Sequence, residues 1–147
     1  MKSPLQFFPG NWSRMILVVL FIAWAFPVLA APVVVVTQDG TPVTTLSRDE
    51  VADLFLGKRI ITVAGRDLTP LDVNDDFLRE SFYQGVAGMS AMRVNAYWAR
   101  LVFSAQGRPP RKYPLSEVKK LVRSRSGLVT YLPSDDANGF KILLTVK

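Results

Sequence analysis

The 147-residue chain contains no cysteine and no histidine. The first absence excludes disulfides, a thiolate nucleophile and any zinc–sulfur site. The second removes the side chain that most often moves protons near neutral pH, and the commonest metal ligand with it. Long apolar runs are also missing. The longest, "MILVVLFIAWAF" (15–26), has about twelve residues, where a helix crossing a bilayer needs about twenty. No twin-arginine pair precedes that run and no cysteine follows it, so a lipoprotein anchor is excluded. Phosphate-cradling glycine loops, nucleophile elbows and metal-ligand clusters are absent too. There are no internal repeats and no low-complexity tracts.

What is present begins with the apolar run itself. Lys2 and Arg14 lie before it with no acid between them, and Pro27 breaks it. Val28-Leu29-Ala30 then supplies small residues ahead of Ala31-Pro32. This is the three-part layout of a secretory signal peptide, with cleavage expected near Ala30. An uncleaved anchor is the alternative. The mature chain, residues 31–147, keeps 16 basic against 12 acidic residues, a net charge of +4 that names no partner by itself. A secreted domain without disulfides fits a bacterial periplasm.

"PVVVVTQ" (32–38) is β-branched without polar alternation, as in a strand buried on both faces of a parallel sheet. Ser47 and Glu50 form a capping box for a helix over 46–58, with Val51, Leu54 and Phe55 as its apolar stripe and Gly57 as its stop. Residues 59–73 read as two strands around a turn at Ala64-Gly65-Arg66. A helix starts at about Asp75, with Leu78, Phe82 and Val86 facing the core and Gly85 and Gly88 loosening its end. Ser90 caps the next helix (91–103), whose buried face is Val94, Trp98, Leu101 and Val102. Trp98 and Phe103 are expected in the core. "SAQGRPPRKYP" (104–114) is a loop. Ser116 caps a helix over 117–124, with Val118, Leu121 and Val122 inside. Strands at 128–132 and 140–146 close the chain around the turn "PSDDANG". Mixed strands and helices in one unit predict an α/β sandwich.

Two groups of residues invite chemistry. Asp75 and Asp76 stand side by side at a helix mouth, where a catalytic pair, half of a metal site or a helix cap are the options. Neighbours on a helix point about 100° apart, so the two carboxylates do not converge on one atom. Asp72 is the sole nearby acid and the spacing fits no calcium loop. Capping of the free N–H groups by Asn74 or Asp75 is the favoured reading. The second group is basic. Arg108, Arg111, Lys112, Lys119, Lys120, Arg123 and Arg125 face a single acid, Glu117. They suggest an anionic partner or a solvated helix face. Arg108, Arg111 and Lys112, in the loop, are the candidate ligand-binding residues. No nucleic-acid motif accompanies them.

"LSRDEVADLFLGKRIITVAGRDLTPLDV" resembles a second-lobe segment of the periplasmic phosphate-binding proteins of ABC transporters. "SGLVTYL" is similar to a later strand of the same proteins. Residues 33–146 as a whole resemble short secreted relatives of these type II solute-binding proteins, which share "F…YWARLVFS…G.PP", here Phe82 to Pro110. The resemblance implies a three-layer α/β sandwich with a mixed sheet, corresponding to one lobe of a type II periplasmic binding protein and occupying 31–147. It implies a periplasmic binding domain, not an enzyme, with no cofactor and no metal. Its implied partners are a membrane transporter or a sensor protein, and an inorganic anion. No nucleic acid is expected. Relatives hold phosphate on a Ser-Gly-Thr-type loop at a helix start. Here that position reads Asn74-Asp75-Asp76, so no phosphate-binding residue carries over. Two readings follow: a lobe acting by protein–protein or weak ligand contact, or an anion-binding protein that completes its cleft by dimerisation.

Overall fold

Val33 to Thr37 form five successive buried residues, and that pattern demands cover on both faces of a strand. The computed structural model describes residues 31–147 and shows how the cover is supplied. The signal-peptide reading falls on residues 1–30, outside the described residues. The strand, β1 (Val33–Gln38), lies inside a five-stranded sheet ordered β5-β4-β6-β1-β7, with β4 (Thr69–Val73), β5 (Arg111–Tyr113), β6 (Leu128–Pro133) and β7 (Phe140–Val146). It runs antiparallel to both neighbours, β6 and β7. The parallel pairings expected of it belong to β4, with β5 and with β6. Two-sided burial reports a central position, not strand direction, and so did not distinguish the two. The sheet is mixed, as expected.

Helices α1 (Arg48–Phe55), α2 (Asp76–Ala87) and α3 (Ala91–Phe103) pack in sequence on one another. Helix α4 (Leu115–Ser124) packs on β1, β4 and β6. Among the described residues, no helix is long and apolar enough to cross a membrane. The capping box of α1 forms: Glu50 N–H donates to Ser47 Oγ at 3.2 Å, and Ser47 N–H donates to Glu50 Oε2 at 2.9 Å. These bonds from Ser47 hold the Glu50 carboxyl below its usual range.

Several boundaries differ from expectation. Residues 59–73 divide into three strands, because a hairpin of β2 (Thr62–Val63) and β3 (Arg66–Asp67) stands apart from β4. Its turn sits at Ala64 and Gly65, both at positive φ. Leu68, between β3 and β4, is buried and donates its N–H to Ile61 C=O at 2.8 Å. The loop 104–114 contains β5, which has prolines on both sides and pairs with β4 alone, the edge setting in which proline is tolerated. Helix α4 begins earlier than expected. Pro114 is its N-cap with no side-chain capping bond, and Ser116 already lies inside the first turn. Gly85 does not loosen α2. A Cβ there would collide with Val146 Cγ1, so the glycine admits β7 against the helix.

The core is Phe55, Phe82, Tyr83, Tyr131 and the valines of β1, α1 and α4. Trp98 joins it, but Phe103 does not: 95% of it is exposed, and Val102 is exposed as well. Five residues of helix turn through about 500°, which aims Phe103 about 140° away from Trp98.

Candidate functional site

In open α/β sheets, ligands sit beyond the carboxyl ends of the parallel strands. Here β4, β5 and β6 end at Val73, Tyr113 and Pro133. Asn74 N–H donates to Tyr113 C=O at 2.9 Å and ties the β4–α2 connection to the edge strand. Asp75 is the N-cap of α2, with Oδ1 accepting from Leu78 N–H at 2.8 Å. Asp76 follows it in the first turn. Beyond β6, Asp135 and Asp136 lie in a 3-10 turn (Ser134–Asp136), where Asp136 accepts from Lys119 Nζ at 2.7 Å. The rim is thus lined by carboxylates. The positive end of α2 is already neutralised by its own cap.

Beneath the rim lies a network that the sequence reading missed. Asp72, on β4, is 2% exposed, and Arg79, on α2, is 4% exposed. Arg79 Nε donates to Asp72 Oδ2 at 2.9 Å. The Tyr131 hydroxyl donates to Asp72 Oδ1, which also accepts from Val73 N–H at 3.1 Å. The Tyr83 hydroxyl stands 3.5 Å from Oδ2, and the guanidinium lies over the Tyr83 ring. Burial, and then the Asp72 charge, push both phenols well above their usual range. Burial pulls the Arg79 guanidinium down, but the bond and charge of Asp72 outweigh it, so Arg79 stays charged. A weak signal was available. Arg79 and Tyr83 are four apart and flank the Leu78–Phe82–Val86 stripe, so a wide apolar face would bury both.

Because both tyrosines must stay neutral in the folded state, their contribution to stability is complete below the ordinary phenol value of 10.0. It is lost as pH rises above that value, since the unfolded chain then releases protons that the folded chain holds. Melting temperature measured from pH 8 upward should therefore fall beyond about pH 10. The fall should be shallower in Tyr131→Phe.

The basic residues divide. Arg108 and Arg111 line a recess of about 350 Å³ with Arg59, Ile60, Trp98 and Pro109. Lys112 lines a different one of about 440 Å³, against Asp72 and Arg79. Farther along, Lys119 is paired with Asp136, and Arg123 Nη2 donates to Asn138 C=O at 3.1 Å while its guanidinium covers Phe140. Of the seven cations, these five are divided between two recesses and separate partners. Among the described residues, no group of acids is placed to hold a metal ion.

No family model matches the chain, and no curated protein matches it. Solved structures do. One is a Clostridium perfringens protein solved with bound phosphate and described as a phosphate ABC transporter substrate-binding protein. It shares 16% identity at a TM-score of 0.57, over 80% of this chain and 45% of its own. Another is an ABC-type phosphate transport receptor from Vibrio cholerae, at 16% identity and a TM-score of 0.58, over 78% of this chain and 46% of its own. The chain spans less than half the length of either. The likeness establishes the fold, that of part of a periplasmic binding protein.

Proposed function

We propose that this domain is a non-catalytic, extracytoplasmic relative of the phosphate-transporter binding proteins. It works through protein–protein or weak ligand contact, with a membrane transporter or sensor as partner. In this reading residues 1–30 are removed near Ala30 as a secretion signal. The observation that carries it is the mouth of α2, where Asp75 accepts the Leu78 N–H and Asp76 stands beside it. An arriving anion would meet two carboxylates and an N–H already taken.

Calorimetric titration with phosphate tests this. No micromolar binding is expected, and Asp75→Ala should cost about 1 kcal/mol of stability through the lost cap. Micromolar binding that survives Asp75→Ala but is lost in Arg108→Glu or Arg111→Glu would move the site to the basic loop and overturn this account of the helix mouth. The second reading, an anion site completed by a second copy, draws on the short span of the match to two-lobed proteins. It requires a phosphate-dependent dimer in sedimentation under the same conditions.

A further inference from the structure

We propose that the recess between α3 and β5 binds an organic carboxylate carried on an apolar body. This goes beyond the reading above and concerns a different place from the α2 mouth. At about 440 Å³, the recess has the volume of a small-ligand site. Its polar groups are unbalanced. Asp72 is the one acid lining it, and both carboxylate oxygens are engaged, Oδ1 by Tyr131 and Val73, Oδ2 by Arg79 Nε.

Donors, by contrast, are left over. Arg79 uses Nε on Asp72 and Nη1 on Ala91 C=O at 3.4 Å, and Nη2 has no partner among the described residues. Nη2 is not sealed off either, because the single fully buried side-chain polar atom without a partner among the described residues is Trp98 Nε1. Lys112 makes no ion pair among the described residues, and Asn95 adds an amide. An acceptor entering the recess would take up these donors in place of water.

The remaining walls decide which acceptor. Trp98, Val102, Phe103 and Pro109 are apolar, and Phe103 is held out at the rim with almost all of its surface in water. An apolar body would cover that ring. Arg79 is already balanced by Asp72, so Lys112 leaves one positive charge. A carboxylate matches that charge, and its two oxygens would accept from Arg79 Nη2 and from Lys112. Phosphate carries more charge and more oxygens, and apolar walls would leave those oxygens unpartnered.

Protein purified after expression of the full chain is titrated by calorimetry with phenylbutanoate, octanoate, phenylbutanol and inorganic phosphate. A short acetylated peptide ending in phenylalanine is added, with its C-terminus free or amidated. Phenylbutanoate should bind at least about tenfold more tightly than phenylbutanol, and phosphate should not displace it. Lys112→Glu should weaken it about tenfold or more, and Ala99→Phe, which fills the recess from an exposed position, should abolish it. Both variants should keep the parent melting temperature. If the free-terminus peptide binds more tightly than phenylbutanoate, the natural carboxylate is a chain terminus; the reverse order makes it a small free acid. Equal binding of acid and alcohol, indifference to Ala99→Phe, or no binding of any carboxylate would overturn the proposal.

Discussion

Arg79→Met is expected to lower the unfolding free energy by about 3–5 kcal/mol. The substitution keeps most of the side-chain volume of Arg79, so packing changes little and the loss reads the electrostatics. Asp72 would remain in the interior without its cation, and burying an unpaired carboxylate is among the largest penalties a single change can impose. The bonds from Tyr131 and Val73 to Oδ1 persist and hold the loss toward the lower end of the range. Adding Asp72→Leu to Arg79→Met should restore part of the stability, because a buried ion pair replaced as a unit is often neutral. Recovery should be incomplete, since the Tyr131 and Tyr83 hydroxyls would then lack their acceptor. Urea unfolding of the three proteins decides it. A single-variant loss below about 1 kcal/mol would mean that the pair is solvated.

Phe82→Ala should cost a comparable amount, about 3–5 kcal/mol. The Phe82 ring is fully buried and stacks on Tyr131 at 3.9 Å between centroids, with the planes 6° apart. It also meets Phe55 edge-on at 4.8 Å and Tyr83 at 5.0 Å. One side chain therefore joins α1, α2 and β6, and its removal leaves a void that three elements cannot close together. The aromatic geometry adds to the loss of buried area. The Phe82 and Arg79 effects should not be additive, because both act through Tyr131, which stacks on Phe82 and donates to Asp72. A double-mutant cycle on unfolding free energies reads that coupling directly.

Much of the fold was legible in local pattern. Ser47, Glu50 and Ser90 announce helix starts because a cap is satisfied within three residues of itself. The run from Val33 to Thr37 announces a central strand, and Leu78, Phe82 and Val86 announce the buried face of α2. The Asp75 cap of α2 was legible because a cap is a local device. Strand direction was not legible. The side chains of β1 look alike whether β6 runs with it or against it, and pairing is settled by partners about a hundred residues away. Phe103 was misplaced because helical phase, not hydrophobicity, decides where a ring points.

The residues of greatest interest mark the same boundary. Composition alone removed thiol and imidazole chemistry, and local spacing alone argued that Asn74 or Asp75 caps a helix. Neither could bring Asp72, Arg79, Tyr83 and Tyr131 together, since the Asp72–Tyr131 bond joins residues 59 apart in the chain. Nor could they separate Arg111 from Lys112, adjacent in sequence yet lining different recesses. Short-range capping and periodicity are written in neighbouring residues, and the sequence determined them by itself. Burial of a charge, and the cavity it faces, depend on which distant elements close over it, and only the tertiary structure decided those.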